Sequence, residues 1–479
     1  MRILFLSSEV APYSKTGGLG DVSSALPASL QAMGHDVTVV TPLYRRVQSG
    51  GHQLHSIFQQ IPVPVMGNAT FDAFLAEDGR TWFVHYPPLY DRESIYTNDP
   101  DEHLRYLFLT HAALELCRRR AWAPAIAHGN DWQAGFLPLY LRTLYAGDFL
   151  FRATKTVFTI HNLGYQGTFG SGIVPDLHLG DLSYLLHQEH LAEGRVGFLE
   201  HGLLYAHAIT TVSPTYAREI QTEEQGMGLD GLLRYRADDL SGILNGIDTA
   251  VWNPRTDRHL PAQYSERTLE DKMINKAALA ERGGFNHRAE VPLVGLISRL
   301  TAQKGVEIAL RPLARLLSQE RISVIALGSG ERHLEEALAQ LVSFFPDRTY
   351  FHRGYSESLA HLIEGGADIF LMPSRYEPSG LNQMYSLAYG TPPVVRRTGG
   401  LADTVSHYDP ATGQGNGFRF DHYSQAGVSW ALDQALRVFG NPEEWRRLQL
   451  NGMAEDNSWE RRGAEYDELY RRLSPVTPQ

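Results

Sequence analysis

Five segments of this chain each place glycines, cations or carboxylates at the end of an apolar run. In the first, Lys15-Thr16-Gly17-Gly18-Leu19-Gly20-Asp21-Val22 follows the run RILFL and precedes an apolar helical pattern. Glycine has no Cβ, so its backbone N–H can approach an oxyanion, and a helix start adds positive potential. The loop reads as a phosphate site or as a purely structural strand-to-helix turn. Two common phosphate loops do not fit. The last glycine of Gly-x-Gly-x-x-Gly is Ser23, the second run ends VVTPLY with no carboxylate for a ribose, and the lysine precedes the glycines instead of following them.

The second segment, Ser298 to Gly305, carries Arg299 and Lys304 five residues apart on one loop. A guanidinium fork and a mobile ammonium at a strand end suit a diphosphate; the alternative is two charges on a solvated turn. The third, Ser374 to Asn382, sets Pro378 to open a helix whose first N–H groups can take a phosphate oxygen. Glu377 then lies beside that ligand, or else complements the helix dipole. The last two, His128-Gly129-Asn130-Asp131-Trp132 and Phe158 to Tyr165, end apolar strands with Asp131, His161 and Asn162. A lone residue of that kind is often a cap, but their shared position at strand ends favours a site. Asp99-Pro100-Asp101 is an Asp-x-Asp in a polar, Pro-containing loop, read as surface and not as a metal ligand pair.

The elements that must present these loops are short β-rich runs alternating with helical patterns, which imply parallel sheets with crossover helices. RILFLSSE, DVTVVTPLY, TWFVHYPP, PAIAHGND, KTVFTIHN and AITTVSP form one series; PLVGLISRL, RISVIALGSG, RTYFHRGY, ADIFLMPSRY and TPPVVRRTGG form another. The polar stretch from Asn245 to Glu290 separates them as hinge, linker and helix. The expectation is an α/β protein of two doubly wound domains, residues 1–242 and 243–455, with ligands outside the carboxyl ends of the strands. The tail 456–479 places Trp459, Tyr466, Leu469, Tyr470 and Leu473 on one helical face, which must pack on something.

Composition sets outer bounds. A chain of 479 residues, 43% hydrophobic and 20% charged, is a folded protein with more than one core. Its net charge of −11 argues against a nucleic-acid partner, so an anionic ligand must meet locally gathered cations. The single cysteine, Cys117, cannot form an internal disulfide, and that favours a reducing compartment. The first apolar run breaks at Glu9 without a cleavage site, and no run approaches the roughly 20 apolar residues of a membrane span. A cytoplasmic protein without a membrane partner is expected.

The ordered set KTGGLGDV, HGNDWQAG, FTIHNLGYQG, ILNGID, SRLTAQKG, GYSE, SRYEPSGLNQMYSLAYG and RTGGLADTV resembles the signature motifs of bacterial glycogen synthases and plant starch synthases, from residue 1 to about 470. The resemblance implies the GT-B fold, two Rossmann-like domains facing across a deep cleft with a C-terminal helix returning to the first. It implies transfer of glucose from ADP-glucose to the non-reducing end of an α-1,4-glucan, with retention of configuration and release of ADP; UDP-glucose is the alternative donor. Lys15, the amides of Gly17 and Gly18, and Asp21 are then at the nucleotide phosphates. Arg299 and Lys304 neutralise the leaving diphosphate, with support from the amides of Gly380, Leu381 and Asn382. Asp131, His161 and Asn245 line the sugar pocket, Asn162 is among the substrate-binding residues, Glu377 contacts the glucosyl unit, and Tyr355 lies near the base. The family often has cysteine at the position of Ser379, so activity without a thiol is implied; sister families carry a glutamate where Tyr385 stands. Neither a metal nor pyridoxal phosphate is implied. Rival readings are an α-glucan phosphorylase, another GT-B transferase such as a trehalose-phosphate synthase, and a non-enzymatic polysaccharide-binding protein, which would not need phosphate loops in both domains.

Overall fold

Runs of valine, isoleucine and leucine bounded by glycine, proline and polar residues fold here as strands. The computed structural model describes residues 1–67, 69–285 and 288–474, save the side chain of Val65. The chain divides into two compact units, one built from Met1–Val212, Ala217–Leu244 and the chain from Trp459, the other from Ser213–Tyr216 and Asn245–Ser458. Ser213–Tyr216, which the sequence places inside the first domain, goes with the second because Asp403 holds it. That carboxylate accepts from Ser213 Oγ at 2.7 Å, the Thr215 N–H at 2.8 Å and Thr215 Oγ1 at 2.5 Å.

The strands of the first unit are β1 (Arg2–Leu6), β2 (Asp36–Pro42), β3 (Leu54–Pro62), β4 (Thr70–Ala76), β5 (Thr81–His85), β6 (Ile126–Asn130), β7 (Lys155–Ile160), β8 (Thr168–Gly170), β9 (Arg195–Gly197), β10 (Ala208–Thr211) and β11 (Leu240–Gly242). Among the described residues, nine of them form one sheet in the order β11-β10-β7-β6-β1-β2-β5-β4-β3, while β8 and β9 pair separately. All neighbours in the large sheet are parallel except β4 against β3 and β5. The hairpin β3–β4 has no counterpart among the apolar runs read from sequence. β3 is LHSIFQQIP, an edge strand mostly open to solvent with two register shifts, and such a strand needs no continuous apolar run.

In the second unit β12 (Leu293–Ile297), β13 (Ser323–Gly328), β14 (Thr349–Arg353), β15 (Ile369–Met372), β16 (Pro393–Arg396) and β17 (Phe418–Phe420) form an all-parallel sheet in the order β14-β13-β12-β15-β16-β17. Buried on both faces, these strands read as unbroken apolar runs such as LVGLI and IFLM. The helix Val306–Ser318 buries Val306, Ile308, Ala309, Leu313, Leu316 and Leu317 against one face. The Asn245 to Glu290 stretch contains one α-helix among its described residues, Lys272–Arg282.

The terminal helix Trp459–Leu473 belongs to the first unit and lies on the helix Gly18–Ala32. Trp459, Tyr466, Leu469 and Tyr470 are buried there, and Leu473 packs at the margin of the same cluster. Polar ties fix its register: Ser29 Oγ donates to the Trp459 carbonyl at 2.9 Å, His35 meets Asp467 at 2.8 Å, and Tyr470 OH meets His128 Nδ1 at 2.7 Å. No helix among the described residues is long and apolar enough to cross a membrane.

Candidate active site

Where the strand order of an open α/β sheet reverses, neighbouring loops leave in opposite directions and open a crevice at the carboxyl ends of the strands. In the second unit the reversal falls between β12 and β15, and in the first between β1 and β6. The loops after β12 and β15 hold Arg299, Lys304, Glu377, Gly380, Leu381 and Asn382. After β1 come Lys15 and Gly17 in the loop and Gly18 and Asp21 in the first turn of the helix Gly18–Ala32, after β6 comes Asp131, and β7 beside β6 ends at Ile160, just before His161 and Asn162. Each unit therefore brings its sequence-predicted residues to its own switch point.

In the second unit Lys304 Nζ lies 2.6 Å from Glu377 Oε2, and Ser374 Oγ donates to the same oxygen at 3.0 Å. Both side chains are largely buried, at 17% and 6% exposure, so each charge depends on the other. The backbone is shaped to allow this approach. Gly305, at φ +67°, lies against the Pro373 carbonyl, and Gly399, at φ +45°, lies against the Glu377 carbonyl; a Cβ at either position would overlap that oxygen. Arg299 is exposed, and its guanidinium has no ion-pair or hydrogen-bond partner among the described residues. Asn382 Nδ2 donates to the Ile297 carbonyl at 3.0 Å, tying the loop after β15 to the end of β12.

One expectation is corrected here. The helix after β15 begins at Asn382, with Leu381 as its N-cap, so Pro378 lies in the loop and does not open the helix. Glu377 accordingly does not complement a helix dipole; its partner is a lysine on the neighbouring strand-end loop. Lys304 and Glu377 are 73 residues apart, so their pairing has no local signal in sequence.

In the first unit the glycine loop closes on the protein's own carboxylate. Glu9, 2% exposed, accepts from the Thr16 N–H and Thr16 Oγ1, each at 2.6 Å, from the Gly17 N–H at 3.2 Å and from Tyr96 OH at 2.5 Å. The Gly17 amide, expected at a phosphate, is thus already engaged. A buried carboxylate needs donors, and the loop supplies them. Lys15 Nζ pairs with Asp21 Oδ1 at 2.7 Å, and the helix Gly18–Ala32 starts without a side-chain cap. Glu9 was not singled out from sequence as a site residue; its one signal was a carboxylate breaking an apolar run just before a glycine loop.

Asp131 carries the strain of the site. Its backbone sits at φ +54°, ψ −177°, a region that is essentially glycine's, and the surroundings hold it there. Its Oδ1 accepts the His161 N–H at 2.7 Å and the Asn162 N–H at 3.4 Å, and its own N–H donates to the Thr159 carbonyl at 2.9 Å. Burial pushes its carboxyl up to about 7; the two amides pull the other way without cancelling the effect. Burial lowers His161 to about 3, so its ring is neutral. Asn130 Nδ2 donates to the Leu6 carbonyl, which turns Asn130 Oδ1 toward His161 Nε2 at 2.9 Å and assigns the proton to that nitrogen. Asn162 Oδ1 accepts the Gly164 N–H at 2.9 Å and shapes the turn.

The remaining predicted residues are more dispersed. Asn245 belongs to the second unit; it is 5% exposed and its Oδ1 has no hydrogen-bond partner among the described residues. Tyr355 is 71% exposed on the loop between β14 and the helix Glu357–Gly366. Tyr385 is buried and stacks on Trp252 with ring centroids 3.9 Å apart. Asp99 and Asp101 are held by Arg92, at 2.7 Å and in a two-pronged contact of 2.9 and 2.5 Å. Cys117 is buried, and burial pushes its thiol up to about 12.

Residues 2–235 match the family model described as the starch synthase catalytic domain, and residues 280–447 that of group 1 glycosyl transferases. The glycogen synthase of Anaeromyxobacter sp. strain Fw109-5 is 45% identical over 478 residues, covering 99% of this chain and 100% of the relative. That of Thermotoga maritima is 41% identical over 482 residues, covering 98% and 99%. The catalytic domain of starch synthase IV from Arabidopsis thaliana, solved with ADP and acarbose, superposes with a TM-score of 0.90 at 33% identity, covering 99% of each chain. A sucrose-phosphate synthase from Thermosynechococcus elongatus, at 18% identity and a TM-score of 0.63, shares the fold. With GT-B glycosyltransferases as its structural neighbours and full-length relatives above 40% identity, the chain belongs to the glycogen and starch synthase family.

Proposed function

We propose that this enzyme transfers glucose from ADP-glucose to the non-reducing end of an α-1,4-glucan, with retention of configuration and release of ADP. The observation that carries the reading is the Lys304–Glu377 pair at the β12/β15 switch point, with the Arg299 guanidinium on the loop of Lys304 and without an ion-pair or hydrogen-bond partner among the described residues. The leaving diphosphate gains charge as the glycosidic bond breaks. Arg299 offers it a fork, Lys304 a point charge, and both favour the transition state over the ground state. Glu377 positions the Lys304 ammonium and contacts the glucosyl unit, and the amides of Gly380, Leu381 and Asn382 support the phosphates.

To the first unit the reading assigns Lys15, Gly18 and Asp21 as phosphate ligands and Asp131, His161 and Asn162 as sugar ligands; in the second unit it assigns Asn245 to sugar binding. The His161 carbonyl and the Asp131 carboxylate stabilise positive character at the anomeric carbon. Tyr355 contacts the base. A leaving-group phosphate oxygen takes the acceptor hydroxyl proton, so the reaction requires neither a metal nor pyridoxal phosphate. The Arabidopsis relative, solved with ADP and acarbose, supports an adenine nucleotide and a glucan as the ligand pair. Incubation with glycogen and labelled ADP-glucose or UDP-glucose tests the reading: incorporation from ADP-glucose is expected to dominate, and none from either donor refutes it.

A further inference from the structure

Asp257, 4% exposed, organises two histidines of the second unit. Its Oδ2 accepts from His361 Nδ1 at 2.7 Å and from Tyr389 OH at 2.5 Å, while its Oδ1 accepts the His259 N–H at 2.8 Å. In the neutral imidazole, with Nδ1 donating to the carboxylate, the acceptor nitrogen of His361 is Nε2. That atom is buried, in a residue 1% exposed, and has no hydrogen-bond partner among the described residues. A buried acceptor left bare calls for an explanation. One ligand atom each from His259, Glu357 and His361 lie within 4.8 Å of one another. Glu357 and His361 are one turn apart on the helix Glu357–Gly366, and neither the His259 ring nor the Glu357 carboxylate is hydrogen-bonded among the described residues.

We propose that His259, Glu357 and His361 bind a divalent transition-metal ion of the zinc class, with Asp257 fixing the tautomer of His361 from behind. Two imidazoles and a carboxylate suit zinc and not magnesium or calcium, and a metal-bound histidine usually gives its other N–H to a carboxylate. Three protein ligands leave a fourth position for water. Ligand atoms around a tetrahedral metal at about 2.0–2.2 Å are about 3.3–3.6 Å apart, so closure needs a shift of about an ångström. The exposed Glu357 side chain can make it. The ion would fasten the 257–259 segment to the first turn of the helix. The site is separate from the glucosyl-transfer reading and does not depend on it.

A second cluster, His187, His190 and Glu200, is less suited. His190 Nδ1 already meets Glu200 at 2.6 Å, and His187 Nδ1 accepts the His190 N–H at 3.4 Å, which leaves the His187 proton on the nitrogen that would have to bind the metal.

The test is titration of the full-length, chelator-treated protein with Zn2+ against a chromophoric competitor, with thermal unfolding followed in parallel. Wild type is expected to bind one equivalent tightly and to unfold at a higher temperature when loaded. His259→Ala and Glu357→Ala, both at positions open enough to tolerate truncation, are expected to weaken binding at least about tenfold and to lose the thermal gain, while His190→Ala keeps both. Absence of binding at micromolar Zn2+, or binding that survives His259→Ala and Glu357→Ala, overturns the proposal.

Discussion

Replacing Asp131 with asparagine separates the cost of a buried carboxylate from its use. Raising the carboxyl from 3.8 to about 7 means the fold disfavours the ionised form by about 4 kcal/mol, at about 1.4 kcal/mol per tenfold change in proton affinity. Between these two values the folded state holds a proton that the unfolded chain releases, so the contribution of Asp131 to stability is greatest below pH 4, falls as pH rises toward 7 and is level above it. Asparagine has no charge to lose, its Oδ1 can still accept the His161 N–H, and it is among the residues that best tolerate positive φ. Asp131→Asn is therefore expected to exceed wild type by about 1.6 kcal/mol at pH 5 and by up to about 4 kcal/mol at pH 8, several degrees in thermal midpoint. Glucan synthesis should show the opposite trend: wild-type turnover rises as Asp131 ionises near pH 7, and the variant is slow with that limb flattened. The assays are thermal unfolding between pH 5 and 8.5 and ADP-glucose incorporation over the same range. An Asp131→Asn protein destabilised equally at pH 5 and pH 8, or one retaining the wild-type pH–rate limb, refutes the reasoning.

Other perturbations probe separate parts of the site. Lys304→Met leaves Glu377 buried without its counter-ion, so a loss of about 3–5 kcal/mol in stability of the second unit is expected along with lost turnover; denaturant unfolding measures the first and donor incorporation the second. Glu377→Gln keeps the shape and an acceptor for Lys304 but removes its counter-charge, so a smaller loss of stability than for Lys304→Met is expected together with a severe fall in kcat; wild-type turnover would remove Glu377 from the reaction. Gly399→Ala sets a methyl group against the Glu377 carbonyl at a positive φ, and loss of soluble expression or a fall of more than about 3 kcal/mol is expected. Tyr470→Phe removes the partner of His128 Nδ1 at no cost in packing, so stability should fall by about 1–3 kcal/mol while turnover per folded molecule is kept.

The two doubly wound sheets and the strand-end placement of Arg299, Lys304, Glu377, Asp131 and His161 were legible in the chain, because parallel strands buried on both faces are continuous apolar runs and their loops are the polar breaks between them. The hairpin β3–β4 was not, since a solvated edge strand carries no such run. Other features arose only on folding. Glu9 fills the glycine loop, Lys304 meets Glu377 across 73 residues, Asn130 sets the His161 proton, and Asp257 leaves a bare nitrogen on His361. Residue type and spacing determined which loops carry charge and that two sheets hold them, for those follow from local hydrophobic period and turn chemistry. Which carboxylate accepts from which donor, and how far each titration moves, was decided by tertiary structure alone, because burial and charge pairing depend on groups that sequence distance does not relate.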